Sequence, residues 1–356
     1  MSTPPTIGPY RVLEKLGRGR HATVYKALQR GLDRPVALKV LHHYDQATLE
    51  KFEHEARLSA RLKIPGVRHT YEAGQTHEGY IFLAMEYVDA SLKDVMRRHG
   101  QPFTRDEVIH LLGPIAQALD AMHQQGLVHL DIKPENILVS ERGRAVLADF
   151  GITRQQGETT TEGTPRYMSP EQATGDRPVK AQSDVYALGG LIYEMMTGRP
   201  PFRSERDDVL LRQHVQDTPV SPRKLNPQMD RAVARTLLSA LSKEPHKRPA
   251  SAGALLRELA AAHSTPITIA VDAVRERPQV ALIPVGMLAV ALISLLMFGN
   301  GGRPPATPTA VSAPPTATAT VIAPTITPSA TPTLALAPTS TSAPMTSTPT
   351  LAPGTR

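Results

Sequence analysis

The sequence predicts an α+β domain followed by one membrane-spanning helix and a disordered tail, and three observations carry that prediction. Residues 1 to about 263 mix charged and apolar residues in globular proportions, with strand-period and helix-period segments in turn. From Val280 to Phe298 there is no charged residue. Beyond Gly302 the chain turns into Thr, Pro, Ala and Ser. The 356 residues exceed the ~100–200 of a typical domain, which argues for one large or two-lobed domain with appendages.

Composition narrows the partners. A net charge of +7 suits nucleic acid or a membrane face, but the basic residues are interspersed with acids, which favours the membrane. Aromatics make up 4% and Trp is absent, so base stacking is poorly served and no nucleic-acid partner is expected. The absence of Cys excludes disulfides and thiolate metal sites.

The N-terminal elements come next. In "YRVLEKLGRGRHATVYKALQ", Val12, Leu16, Val24 and Ala27 alternate around Gly17 and Gly19, as two strands joined by a glycine loop would. Such a loop can be a plain turn, or it can bring backbone N–H groups close to phosphate oxygens. "RPVALKVL" reads as a buried strand carrying Lys39. In "ATLEKFEHEARLSARL", Phe52, Glu55, Ala56, Ser59 and Leu62 share one helical face. Glu55 thus points with the apolar residues and wants a cation, for which Lys39 is the candidate.

Farther on, "VHLDIKPENILV" sets Asp131, Lys133, Glu135 and Asn136 between two apolar runs. Burying an unpaired polar group costs on the order of 1–3 kcal/mol, so the cluster either caps a turn or does chemistry. Val108, Leu111, Leu112, Ile115, Leu119 and Met122 keep helical spacing up to Gly126, a C-cap candidate. "SDVYALGGLIYEMMTG" is apolar nearly all round, as a helix inside a large lobe would be, and its Asp184 needs a buried partner.

The glycine loop, the "VALK" lysine, the helix glutamate, "HLDIKPEN", "DFG" at 149–151 and "SPE" at 169–171 stand in the order of the protein kinases. With "GTPRYMSPEQ", "SDVYALG" and "KRP", the chain resembles the membrane-anchored, eukaryotic-like (Hanks-type) serine/threonine kinases of bacteria over roughly residues 8 to 263. The resemblance implies a two-lobed protein kinase fold: a small, mainly β N-lobe with one helix (about 8–86) and a large, mainly α C-lobe (about 89–263). It implies a non-specific serine/threonine protein kinase that uses ATP and Mg²⁺, with Mn²⁺ as a substitute, on Ser/Thr hydroxyls of proteins and on itself. A membrane-tethered pseudokinase scaffold is the alternative, and pairing of kinase domains is left open.

Residue roles follow from the same resemblance. Asp131 would orient the substrate hydroxyl and accept its proton, and Lys133 would stabilise charge on the transferred phosphate. Asn136 and Asp149 would hold the metal. Lys39, fixed by Glu55, would reach the α- and β-phosphates beneath Gly17 and Gly19. The backbone of Glu86 and Val88 would bond the purine edge, with Met85 as gatekeeper and Leu16, Val24, Ala37 and Leu138 as apolar walls. Thr164 would touch Asp131 and help select Ser/Thr, while Thr159, Thr160 and Thr161 are candidate phosphorylation sites. His129 and Glu135 read as structural, as does a pairing of Arg248 with Glu171; Asp184 would hold the backbone of the catalytic loop.

Two departures stand out. Ala22 replaces the third loop glycine, which discourages positive φ there. Leu130 stands where many relatives carry the arginine that receives an activation-loop phosphate of charge roughly −1.5 to −2. The expectation is an enzyme that works without loop phosphorylation or is controlled elsewhere.

The appendages complete the chain. As a helix, "VALIPVGMLAVALISLLMF" spans roughly 28 Å, close to the ~30 Å hydrocarbon core. Arg275 and Arg277 before it and Arg303 after it bias the Lys/Arg-rich side inward. This predicts a single-pass protein of the cell membrane, with a cytoplasmic domain, a linker at 264–279 and an extracytoplasmic tail at 299–356. The N-terminus shows no signal-peptide pattern. The tail holds no acidic or aromatic residue and cannot offset the cost of ordering its backbone.

Overall fold

The computed structural model describes residues 6–19, 21–42 and 44–262. The chain divides into two units, Met1–Leu282 and Ile283–Arg356, and every described residue lies in the first. No helix among the described residues is long and apolar enough to cross a membrane. The segments expected to form the linker, the span and the tail lie outside the described residues.

Six antiparallel strands open the fold: β1 (Thr6–Ile7), β2 (Tyr10–Arg18), β3 (Ala22–Gln29), β4 (Arg34–Leu41), β5 (Thr70–Gln75) and β6 (Ile81–Glu86), in the order β1-β2-β3-β4-β6-β5. Alternation in β4 sorts its side chains onto two faces. Val36, Leu38 and Val40 pack with Tyr10, Ala27, Phe82 and Ala84; Ala37, Lys39 and Leu41 take the opposite face by the two-residue period. There Leu41 joins Leu83 and Met85 against Phe52 and Ala56 of helix α1 (Gln46–Arg61). The buried stripe of α1 is Phe52, Glu55, Ala56 and Ser59, the face read from the helical spacing. Asp45 caps this helix, its side chain accepting from the Thr48 N–H.

The remainder is mainly helical. After β7 (Ala90–Ser91) come α2 (Leu92–His99) and α3 (Arg105–Gln124), then four short strands: β8 (Leu127–Val128), β9 (Ile137–Val139), β10 (Ala145–Leu147) and β11 (Arg154–Gln155). Helices α4 (Pro170–Thr174), α5 (Ala181–Thr197), α6 (Asp207–Gln216), α7 (Pro222–Leu225), α8 (Arg231–Ala240) and α9 (Ala252–Ala261) follow. Helix α5 is buried nearly all round, as its unbroken apolar composition predicts. α3 ends at Gln124, and Gly126 follows in the left-handed region at φ 78°. Between α1 and β5, Gly66 lies so close to α3 that a Cβ would stand 2.7 Å from the Pro114 carbonyl oxygen, at a φ of 83°. Only glycine fits there, and through it the helix-bearing lobe supports the loop behind α1.

Candidate active site

Strand β4 and helix α1 build the first half of the site. Lys39 Nζ donates to Glu55 Oε1 at 2.7 Å and Oε2 at 2.6 Å, so the predicted pair forms, and Asp149 Oδ1 lies 3.8 Å from the same ammonium. Burial works against the charge on Lys39, but the Glu55 and Asp149 carboxylates outweigh it and hold its pKa above the ordinary lysine value. Burial pushes Glu55 above the usual carboxylate range, with Lys39 opposing. Asp149 is kept below that range: the walls of the cleft raise it, and Lys39 and Lys133 together overcome them.

The second half is the loop between β8 and β9. Lys133 Nζ donates to Asp131 Oδ2 at 2.6 Å and to Thr164 Oγ1 at 2.9 Å, and the Thr164 hydroxyl donates to Asp131 Oδ1 at 2.6 Å. Asn136 Nδ2 donates to Asp131 Oδ2 at 2.8 Å and to its backbone oxygen at 2.9 Å. With both amide hydrogens spent there, the carbonyl end of Asn136 is the end left for a cation. Its backbone carbonyl accepts from Ala148 N at 2.8 Å, joining the loop to the strand end that carries Asp149. Asn136 and Asp149 carry hard oxygen donors of the kind a divalent cation takes. Among the described residues no three His, Asp or Glu side chains gather as a metal cage.

A framework holds this loop in place. Asp184, fully buried on α5, accepts from the N–H groups of His129 and Leu130 at 2.8 Å each, the backbone partners expected for it. His123 Nε2, on α3, lies 2.8 Å from the same carboxylate, a partner the sequence reading missed. His129 is buried, edge-on to Phe150, with burial lowering its pKa, and so is a packed neutral histidine as expected. Leu130 and Asp149 adopt left-handed φ values of 69° and 67°, a conformation that costs a non-glycine residue roughly 1–2 kcal/mol. The Arg248–Glu171 pair also forms, at 2.7 and 2.9 Å, with Ser183 Oγ donating to Glu171 at 2.6 Å.

The expected nucleotide-side residues are mixed in outcome. Across the β4–β6 ladder Ala37 stands opposite Met85, and Val24 on β3 opposite Lys39, so these residues share the cleft side. Leu16 is 45% exposed, and Val24 and Leu138 are half-buried. Ala37 has no exposed surface, so it is floor beneath the cleft rather than an open wall. Val88 is buried just past β6. The Glu86 N–H is spent on His69 O at 2.8 Å, and its carbonyl accepts from Arg68 Nε at 2.8 Å, which leaves one lone pair on that oxygen for a ligand. Burial brings the Arg68 guanidinium down to about 10, still charged at neutral pH. Arg68 is a cation behind the site that the sequence reading did not find.

Three further expectations are corrected or refined. None of Gly17, Gly19 and Ala22 has a positive φ, and Gly19 N–H closes onto Ala22 O at 2.8 Å, so alanine at 22 imposes no strain on this loop. Glu135, read as structural, is exposed rather than buried and ties the loop to α2 through Lys93 at 2.8 Å. It lines an open groove of about 600 Å³ with Lys93, Thr164, Arg166, Tyr167 and Glu194, which reaches the Asp131 cluster at Thr164. Of the candidate phosphorylation sites, Thr160 Oγ1 accepts from Glu162 N at 3.1 Å.

The sequence signature of the protein kinase domain matches residues 10–259. The chain is 37% identical over 272 residues to serine/threonine-protein kinase pkn3 of Myxococcus xanthus, covering 71% of this chain and 49% of that protein. It is 35% identical over 279 residues to serine/threonine-protein kinase PknB of Mycobacterium leprae, covering 74% and 44%. A DNA damage-responsive serine/threonine-protein kinase, RqkA of Deinococcus radiodurans, is 38% identical over 275 residues, covering 71% and 40%. The chain thus spans less than half the length of these curated relatives.

Proposed function

The chain belongs to the protein kinase domain family, and from that premise we propose that it is an ATP-dependent serine/threonine protein kinase acting on Ser/Thr hydroxyls of proteins. One observation carries the reading: Asp131 is held by Lys133, Asn136 and Thr164, and Asp149, which feels both Lys39 and Lys133, links that cluster to the Lys39–Glu55 pair. Phosphoryl transfer asks a protein for positioning and charge neutralisation more than for covalent chemistry. Asp131 aligns the incoming hydroxyl and takes its proton. Lys133, one bond from Asp131 and Thr164, faces the charge developing on the transferred group. Lys39, kept charged by two carboxylates, holds the phosphate chain, and the 600 Å³ groove takes the substrate polypeptide. Mg²⁺, or Mn²⁺ in its place, would be held by Asn136 and Asp149 and would neutralise phosphate charge.

We further propose a kinase domain over 8–263, with 264–279 as linker, 280–298 as a membrane span and 299–356 as an extracytoplasmic tail. The charge-free run at 280–298 and its flanking arginines support a cytoplasmic catalytic domain tethered to the cell membrane. The test is incubation of the detergent-solubilised full chain with labelled ATP and Mg²⁺ beside Asp131→Asn. Transfer to a Ser/Thr protein substrate is expected from the wild type and at least ~10³-fold less from the variant. No transfer from the wild type would favour a scaffold that binds without phosphorylating.

A further inference from the structure

Helix α1 carries Glu55, and Glu55 aims Lys39, so the phosphate-holding cation is only as well placed as that helix. No arginine at 130 helps to fix it. Leu130 is instead buried among Val128, Ile152 and Val179, and its carbonyl accepts from Gln172 Nε2 at 3.0 Å. An acidic side chain elsewhere in the segment joins the same elements. Glu162 Oε1 accepts from Lys51 Nζ of α1 at 2.5 Å, and its Oε2 accepts from Arg154 Nη2 of β11 at 2.5 Å. β11 pairs with β8, the strand that leads into the catalytic loop. The Glu162 backbone carbonyl accepts from Gln172 Nε2 at 3.1 Å, the amide that also holds Leu130. A second acid, Glu158, stands 3.9 Å from Arg154 and shares only that cation.

One residue therefore ties helix α1, the strand after Gly151 and the catalytic loop. Its carboxylate is shared between two cations from different elements, one oxygen to each, so the α1 contact and the β11 contact reinforce one another. The Lys51 arm is 58% exposed while Arg154 is 25% exposed, so the outer arm is the one that salt weakens.

We propose that Glu162 is a positioning residue: a permanent carboxylate that clamps helix α1 to the activation segment, keeps Glu55 on Lys39, and lets the enzyme turn over with Thr159, Thr160 and Thr161 unmodified. This rests on the kinase reading above. Two elements that many enzymes join through an acquired phosphate are joined here by a side chain the gene already supplies.

The experiment uses the full chain in detergent, treated with phosphatase that is then removed, with mass spectrometry verifying an unmodified loop after a short assay on casein. The unmodified wild type is expected to transfer phosphate, and Glu162→Gln to lower kcat about fivefold with its melting temperature nearly unchanged. Glu162→Asp recovers part of the loss, and Lys51→Met with Glu162→Gln is no slower than Glu162→Gln alone. Raising salt slows the wild type but not Glu162→Gln. Amide hydrogen exchange across residues 46–61 is faster in Glu162→Gln. The proposal is overturned by unchanged kcat and exchange in Glu162→Gln, by losses in Lys51→Met and Glu162→Gln that multiply, or by a wild type that works only once its loop is phosphorylated. If the wild type matches Asp131→Asn in transferring nothing, the kinase reading fails by itself, and the exchange rates still decide whether the clamp exists.

Discussion

At Asp131 three donors converge on one carboxylate: the Lys133 ammonium, the Asn136 amide and the Thr164 hydroxyl, at 2.6, 2.8 and 2.6 Å. In the proposed reaction each would have a separate use: the first would neutralise, the second would fix an oxygen ligand and the third would tie the activation segment to the base. Lys39 and Glu55 present a different balance, that of a nearly buried pair. Removing one partner of such a pair typically costs on the order of 3–5 kcal/mol, since it strands the other charge. Lys39→Met is therefore expected to abolish transfer and to lower stability in a denaturant titration by about 3 kcal/mol. Lys39→Met combined with Glu55→Gln should regain much of that stability and none of the transfer. A double variant as unstable as Lys39→Met would show that the loss is packing, not a stranded carboxylate. Both residues were legible in the sequence, Glu55 because helical spacing states which side of the helix it faces, and Lys39 as the cation that such a carboxylate wants. Arg68 was not, since nothing in "PGVRHTYEAG" says that its side chain reaches back to the Glu86 carbonyl.

Elements decide how firmly these side chains are held. The catalytic loop has no regular structure at Asp131, and it is α5 that anchors it through Asp184, which binds two backbone N–H groups and lies against His123 of α3. Three buried groups around one carboxylate can over-determine the left-handed Leu130 that a free loop would avoid. Helix α6 contributes a second buried histidine, His214. Its Nε2 lies 3.1 Å from the Arg166 carbonyl oxygen and its Nδ1 2.9 Å from the Tyr186 hydroxyl, so the neutral ring protonated on Nε2 satisfies both. Burial, aided by the nearby Lys243, lowers the pKa of this ring from 6.5 to about 3. The unfolded chain therefore binds more protons than the folded one between those values. The stability due to neutral His214 is complete above pH 6.5 and is lost as pH falls toward 3. The melting temperature should drop on acidification through this window, and His214→Gln should flatten the drop; equal slopes in the two proteins would refute the assignment.

For the whole molecule, the sequence places a catalytic unit ahead of an uncharged 280–298 run and a Thr/Pro/Ala/Ser tail. Deleting 280–298 should move the protein from the membrane fraction to the supernatant while leaving phosphotransfer by the catalytic domain intact. Recovery of the deleted protein still in membranes would remove that run as the anchor. Within the described unit, the sequence by itself determined the main elements and the facing of Glu55, and its ordered motifs marked Lys39 and the Asp131 cluster. Local spacing and ordered motifs carry that information, because backbone periodicity sets where each side chain points. Only the tertiary structure decided which distant groups meet. Glu162 finds Lys51 across 111 residues, Asp184 finds His123 across 61, and Leu130 is buried against Val179. The reason is that such contacts arise when separate elements pack, and no period within either element encodes its partner.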